Sequence, residues 1–169
     1  MSPEELLTQV DEHDNVLSLK PRSEFNNGKL IHRSVYLLIL NNKGEILLQK
    51  RPVSKKWHPG LYSFSITGSV GAETYDECMK RRIREDLGVS IPFQELFKFH
   101  HFDNVDKAFK TVYVANIKND TFIQKSEQEF RWIAPDKLKE ELEGDPEKFA
   151  PPFLTGMKIY FKQYRKTDL

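Results

Sequence analysis

The sequence predicts an α/β fold, and three observations support this. The chain has 169 residues, close to the size of a single domain. Runs rich in β-branched and aromatic residues alternate with segments of helical periodicity, and no repeat, low-complexity tract or linker separates them. We therefore expect one domain over residues 1–169, with a mixed β-sheet covered by helices on both faces.

The predicted elements follow in chain order. Residues 1–30 are polar and form an N-terminal extension, in which the alternation at 16–19 predicts a hairpin arm. The runs 34–40 and 45–51 flank an Asn-Asn-Lys-Gly turn and predict a β-hairpin. Further strands are predicted at 61–66, 96–102, 108–117 and 130–133, and helices at 135–142 and 151–165.

A glycine-rich loop at 67–72 leads into a predicted amphipathic helix. Thr74 is a suitable N-cap with Glu77 three residues later, and Gly88 lies where a C-cap glycine belongs. Apolar residues recur at helical spacing between these ends, and Cys78 lies on their side of the helix. Since the sequence has one cysteine, we expect a small core residue and no internal disulfide.

Composition excludes several classes of function. The chain has 26 Lys and Arg against 25 Asp and Glu, a net charge of +1, which argues against a polybasic nucleic-acid binder. With 38% hydrophobic and 30% charged residues, it is typical of globular rather than disordered proteins. Its longest apolar run, 35–40, is far shorter than the roughly 20 residues that span a bilayer, and the N-terminus lacks a leader pattern. We expect a cytoplasmic protein with no membrane partner.

The residues suited to chemistry are concentrated in the loop, helix and turn at 67–89. Residues three and four apart share a helix face, so Arg82, Glu85 and Asp86 point to one side, while Glu73 precedes the helix. Carboxylates supplemented by water and phosphate oxygens are the ligands that Mg²⁺ prefers, which favours a magnesium site for a phosphorylated compound. The alternative is a solvated helix face with the ion pairs Arg81–Glu85 and Arg82–Asp86.

The same segment resembles the Nudix box, G-x5-E-x7-R-E-U-x-E-E-x-G-U, where U is a bulky aliphatic residue. The spacing from Glu73 to Val89 matches throughout. Two positions depart from the pattern, because the opening glycine falls on Thr67 and the first glutamate of the helix falls on Arg82. The resemblance implies a Nudix-type α/β/α sandwich and Mg²⁺-dependent hydrolysis of a diphosphate linkage.

A narrower resemblance is to type I isopentenyl-diphosphate isomerases. It rests on Leu-Leu-Gln-Lys-Arg at 47–51, on Trp-His-Pro-Gly at 57–60, and on Arg-Arg-x-Arg-x-acid-Leu-Gly-Val in the helix. In that branch, basic residues hold the diphosphate of the substrate. The positions that match them here are Lys20, Arg51, Lys55 and Arg82.

The reactive groups of the isomerase are not retained. Its cysteine falls on Thr67, one metal-binding histidine on Ser69, and its Glu-x-Glu pair near Phe109 and Thr111, so that His32 alone remains of three metal histidines. Protonation of an unactivated double bond needs a positioned acid, which threonine does not supply. We therefore predict a hydrolase of a small diphosphate compound, such as a nucleoside diphosphate derivative. The alternatives are the isomerase and a non-catalytic diphosphate-binding protein.

The resemblance also implies the roles of the site residues. The expected catalytic residues are Glu73, Arg81, Glu85 and Asp86. Of these, Glu85 and Asp86 are expected to bind Mg²⁺ or Mn²⁺, and the arginine at position 82 favours a single ion. The general base is left open between Glu85, Glu127 and Glu129. The expected partner is a small-molecule diphosphate, and the protein is expected to be a monomer or a homodimer.

Overall fold

The structure, a computed structural model, describes residues 3–164. Within these residues the chain forms nine β-strands and four α-helices. The strands are β1 (Leu6–Val10), β2 (Val16–Pro21), β3 (His32–Leu40), β4 (Ile46–Lys50), β5 (Tyr62–Ser63), β6 (Ile66–Ser69), β7 (Gln94–Phe102), β8 (Lys107–Asn116) and β9 (Phe130–Ile133). The helices are α1 (Tyr75–Leu87), α2 (Thr121–Gln124), α3 (Pro135–Gly144) and α4 (Pro151–Gln163). None of these helices is long and apolar enough to cross a membrane.

The chain forms two compact units. The first consists of Ile66–Val114 together with the chain up to Leu37. The second consists of Leu38–Ser65 together with the chain from Ala115 onward. Strands β3 and β8 therefore contribute residues to both units.

In the first unit, β3 and β8 are each paired with a further strand. Strand β3 pairs antiparallel with β6, which sets Tyr36 opposite Thr67, and β8 pairs antiparallel with β7. The β1–β2 hairpin is a separate two-stranded sheet. Strand β1 connects this hairpin to the segment that follows β6. The Thr8 backbone N–H donates to the Val70 carbonyl at 3.0 Å, and the Thr8 hydroxyl donates to the Gly71 carbonyl.

Helix α1 packs against β6 in the first unit. Its apolar stripe is buried and consists of Cys78, Met79, Ile83 and Leu87. Full burial of an aliphatic side chain of this size stabilises by roughly 1.5–3 kcal/mol, so the stripe fixes the rotation of the helix and leaves its charged face outside. The first turn is also tied to β8, because the Tyr113 hydroxyl donates to Asp76 Oδ1 at 2.6 Å.

The second unit is built around β4. This strand pairs antiparallel with β5, β9 and the end of β3. The core beside it is aromatic, with Phe64 and Phe153 in edge-to-face contact at 5.0 Å between ring centroids. Arg131 on β9 pairs with Glu141 on α3 at 2.7 Å, which connects the strand to that helix.

The expected α/β class with a mixed multistranded sheet is confirmed. The hairpin predicted at 34–40 and 45–51 is observed as β3 and β4. Its turn contains Gly44 at φ +76°, and the Asn41 side chain accepts hydrogen bonds from the backbone of Lys43 and Glu45 at 3.1 and 2.9 Å. The N-terminal arm is also present, as the β1–β2 hairpin.

The loop predicted at 67–72 is wrong in its first half. Ile66–Ser69 is strand β6, and the strand predicted at 61–66 is divided between β5 and β6. Considered locally, a glycine at position 68 indicates a loop. In the structure, however, this segment pairs with β3, and that pairing provides the backbone hydrogen bonds of a strand. The last helix was expected to reach Arg165, which lies outside the described residues, and α4 is described up to Gln163.

Candidate active site

Helix α1 carries most of the predicted catalytic residues, and local interactions fix both its ends. The Thr74 hydroxyl accepts from the Glu77 N–H at 3.1 Å, and the Glu77 carboxylate accepts from the Thr74 N–H at 3.2 Å, which completes a capping box. At the other end Gly88 adopts φ +69°, the left-handed conformation of a C-cap glycine. Both predicted caps are confirmed.

Glu73 and Arg81 fasten the preceding loop to α1. Arg81 donates from Nη2 to Glu73 Oε1 at 2.6 Å and from Nε to Oε2 at 3.0 Å, a two-pronged ion pair. The Arg81 guanidinium holds the pKa of Glu73 below its usual range. A carboxylate held ionised in this way is suited to positioning the loop rather than to accepting a proton.

Arg82 connects the two carboxylates that are expected to bind metal. Its Nη1 donates to Glu85 Oε2 at 3.0 Å, and its Nη2 lies 2.9 Å from Asp86 Oδ1. Arg81 pairs with Glu85 as well, at 3.0 Å. Both ion pairs of the alternative interpretation, Arg81–Glu85 and Arg82–Asp86, are therefore present. One guanidinium therefore contacts both carboxylates, which places Glu85 and Asp86 on the same side of α1.

The stem of Arg82 rests on β6. A Cβ atom at Gly68 would lie 2.7 Å from Arg82 Cγ and 3.0 Å from Cδ, so this contact requires glycine. Arg82 Nε is buried and has no hydrogen-bond partner among the described residues. The Asp86 side chain is 11% exposed, against 46% for Glu85, so Asp86 is the more enclosed of the two carboxylates.

The four basic residues expected to hold a diphosphate are divided between the units. Lys20 on β2 and Arg82 on α1 belong to the first unit. Arg51 and Lys55 belong to the second, where Arg51 Nε donates to the Trp57 carbonyl at 2.8 Å and Lys55 is exposed in the loop after β4. A common role for the four in diphosphate binding stays a prediction.

The candidate general bases lie in different settings. Glu85 is on α1, next to Asp86 in sequence, and is paired with two arginines. Glu127 and Glu129 are exposed in the second unit, just before β9. Glu85 is thus the candidate that belongs to the same helix face as Asp86.

Sequence reasoning missed a buried polar cluster in the first unit. His32 Nε2 lies 2.6 Å from Asp106 Oδ1, and Lys110 Nζ donates to Asp106 Oδ2 at 3.0 Å. None of the three side chains is more than 5% exposed. The sequence indicates His32 only as a remnant of the isomerase metal set, and Asp106, 74 residues away, carries no signal that joins it to His32.

Burial and charge together set the protonation of this cluster. Burial lowers the pKa of His32 and outweighs the opposite influence of Asp106. Burial alone would raise the pKa of Asp106, but Lys110 and His32 lower it overall. Burial likewise opposes the charge of Lys110, yet Tyr36 and Asp106 raise its pKa. The cluster is therefore a neutral histidine beside an ionised aspartate and a protonated lysine, with no net charge.

The donors on α1 fit one magnesium ion. Within residues 3–164, no three His, Cys, Asp or Glu side chains form a metal-binding group. Glu85 and Asp86 supply two carboxylates, and Mg²⁺ commonly takes one or two carboxylates while water and substrate phosphates complete its coordination. A structural zinc site, which needs four protein ligands, does not fit this set.

Known proteins share both the sequence pattern and the fold. The NUDIX domain family matches residues 30–153. A prenyl-diphosphate phosphatase of Methanosarcina mazei is 32% identical over 163 residues, which cover 94% of this chain and 96% of that protein. An isopentenyl-diphosphate Delta-isomerase of Serratia proteamaculans is 29% identical over 92% of this chain and 90% of its own length. A crystal structure of a Deinococcus radiodurans protein shares the fold, with a TM-score of 0.74, 20% identity and coverage of 95% of this chain and 99% of that chain.

The chain belongs to the Nudix family, since the match extends from before β3 into α4 and includes the whole box. Its class is that of Nudix hydrolases, which act on diphosphate anhydride bonds. The narrower resemblance is confirmed as well, because relatives include both a prenyl-diphosphate phosphatase and isopentenyl-diphosphate isomerases.

Proposed function

We propose that this protein is a Mg²⁺-dependent hydrolase of a small prenyl-type diphosphate, with Mn²⁺ as a substitute ion. The observation that carries the proposal is that Glu85 and Asp86 converge on one cation, the guanidinium of Arg82, on a helix with the Nudix spacing. The choice of a prenyl substrate draws on the Methanosarcina mazei relative, whose name is prenyl-diphosphate phosphatase. A nucleoside diphosphate derivative is the other substrate class to compare.

Each residue of the site has a part in this reaction. Glu85 and Asp86 would hold the ion, while Arg81 pairs with both Glu73 and Glu85 and so positions them. Arg82 presents a fork-shaped donor that suits phosphate oxygens. When bound, Mg²⁺ neutralises charge on the phosphate oxygens and lowers the pKa of adjacent water.

The reaction itself is the addition of water to one phosphorus. The bridging P–O bond breaks, which gives inorganic phosphate and a prenyl monophosphate. The proton of the attacking water passes to a carboxylate, for which Glu85, Glu127 and Glu129 are the candidates. Lys20, Arg51 and Lys55 are the further basic residues to which the family resemblance assigns diphosphate binding.

The proposed setting follows from composition and from the family. A net charge of +1 argues against a polybasic nucleic-acid binder. We propose a cytoplasmic protein, monomeric or homodimeric, whose partner is the small-molecule substrate rather than nucleic acid or a membrane.

The test is phosphate release from prenyl, nucleoside and sugar diphosphates in the presence of Mg²⁺. Substitution of Asp86→Asn or Glu85→Gln should lower the rate at least roughly 100-fold, because even indirect partners of metal ligands commonly cost 10–100-fold. Glu143→Gln, at an exposed position of α3, is the matched control and should retain the rate. Unchanged release in Asp86→Asn would refute the proposal.

The same experiment separates the other functions. The prenyl products are also analysed for the position of the double bond, because isomer conversion without phosphate release would identify an isomerase. A non-catalytic diphosphate-binding role is favoured by one observation, that Arg82 stands where the box has a glutamate. In that case the protein would bind one or more of the diphosphates tested, with neither phosphate release nor isomer conversion.

A further inference from the structure

The candidate metal site contains its own cation. Arg82 contacts both carboxylates, at 3.0 Å for Glu85 and 2.9 Å for Asp86. We propose that Arg82 is an internal counter-ion that opposes divalent metal binding until a diphosphate draws its guanidinium away, so that metal and diphosphate bind together rather than independently. The inference rests on the proposed function, because it requires the metal to bind at Glu85 and Asp86.

Charge supports this role. Two ionised carboxylates carry −2, and the guanidinium between them reduces the local charge to −1. A divalent ion that uses both carboxylates is attracted less strongly and is also repelled by the guanidinium in the same place. Asp86 is only 11% exposed, so water screens this competition less there than at an open surface.

The anchoring of Arg82 supports it as well. Its stem rests on the backbone of Gly68, while its terminal nitrogens make the contacts with the carboxylates. The end of the side chain can therefore turn without loss of the stem packing. Its Nε–H group is buried without a hydrogen-bond partner among the described residues, so movement of the terminal nitrogens towards a phosphate breaks no hydrogen bond of Nε.

The neighbouring arginine offers a useful contrast. Arg81 is held in a two-pronged pair by Glu73, outside the two metal-binding carboxylates, with distances of 2.6 and 3.0 Å. If Arg82 turns away, Glu85 keeps its pair with Arg81 at 3.0 Å. Arg81 thus keeps Glu85 in position, and Arg82 is the group that exchanges between carboxylate and phosphate.

The experiment measures Mn²⁺ binding to the full chain by electron paramagnetic resonance, with and without a methylene-bridged diphosphonate that cannot be hydrolysed. For the unmodified protein we expect Mn²⁺ alone to bind weakly and saturating diphosphonate to tighten it at least tenfold. Diphosphonate affinity should rise by the same factor in the presence of Mn²⁺, since coupling is reciprocal.

The decisive measurement is the affinity for Mn²⁺ alone. Arg82→Gln should bind it about tenfold more tightly, ~1.4 kcal/mol, and Arg82→Glu more tightly still. Arg82→Lys keeps the charge and should resemble the unmodified protein. Arg84→Gln removes the same charge from an exposed position of α1 and is the matched control. A substitution that only damaged the fold would weaken Mn²⁺ binding. Tighter Mn²⁺ binding by Arg82→Gln would therefore show that Arg82 opposes the metal.

The outcomes distinguish this inference from the proposed function. Asp86→Asn should lose Mn²⁺ binding even with diphosphonate, and if it does not, the metal site itself is wrong. If Asp86→Asn loses binding while Arg82→Gln binds Mn²⁺ no more tightly than the unmodified protein, the counter-ion role alone is overturned.

Discussion

Replacement of Lys110 by methionine tests how strongly the buried ion pair stabilises the first unit. Lys110 Nζ lies 3.0 Å from Asp106 Oδ2, and the two side chains are 2% and 5% exposed. Methionine is unbranched and flexible, so it fills most of the space of the lysine stem and removes chiefly the charge. After the substitution, Asp106 would remain buried with His32 as its neighbour.

The distance and burial give the expected magnitude. At an effective dielectric constant of about 20, two unit charges 3.0 Å apart attract by ~5.5 kcal/mol. Desolvation of the ions offsets much of this attraction, whereas removal of one partner leaves the other charge buried and unpaired, which costs about 3–5 kcal/mol. We expect Lys110→Met to lower the free energy of unfolding by that amount, a large share of the roughly 5–15 kcal/mol of a typical domain.

Urea unfolding followed by circular dichroism measures this loss. Lys107→Met on the same strand is the control, and we expect a change within about 0.5 kcal/mol there, as is usual for substitutions away from buried networks. In the double variant Lys110→Met/Asp106→Asn, the loss in free energy of unfolding should be smaller than the sum of the losses in the two single variants. We expect the difference to be about 0.5–3 kcal/mol. A loss below about 1 kcal/mol for Lys110→Met, or strict additivity, would contradict the reasoning.

Three further predictions concern stability. Thr74→Ala removes the N-cap of α1 and should lower the free energy of unfolding by about 1 kcal/mol in urea, whereas Thr74→Ser should retain it. Gly28 has φ +67°, and a Cβ there would lie 2.6 Å from the Asn104 carbonyl carbon. Gly28→Ala should therefore lower the thermal midpoint clearly more than Gly44→Ala, where φ is +76° but no atom lies within 4 Å, and equal shifts would refute the clash. Because His32 is buried with a lowered pKa, the unfolded chain takes up a proton that the folded chain does not. Stability should fall as pH drops below about 6.5, the ordinary histidine pKa, and His32→Gln should flatten this fall in urea titrations at several pH values.

Features fixed by nearby residues could be predicted from the sequence. Thr74, Glu77 and Gly88 determine the ends of α1 through contacts within one turn, so their residue types were sufficient. The pairing of Arg82 with Glu85 and Asp86 follows in the same way from helical spacing of three and four residues.

Features that depend on distant parts of the chain could not be predicted. Residues 67–69 of β6 are predicted as loop because the pairing of β6 with β3 joins segments about thirty residues apart, and the sequence of 66–69 alone does not reveal its partner. The His32–Asp106 contact spans 74 residues in the same way. Glu73 and Arg81 were named as catalytic residues from the resemblance to the Nudix box, but their ion pair was not predicted, since its geometry depends on the path of the loop before α1.

The buried thiol of Cys78 has a practical consequence for spectroscopy. It donates to the Ser69 carbonyl at 3.4 Å, and burial raises its pKa to about 12, so it is neither accessible nor ionised at neutral pH. Maleimide reagents should therefore not react with Cys78 in the native protein. A cysteine introduced at Val53, which is 86% exposed, would then accept a single fluorophore or spin label without prior removal of the natural thiol.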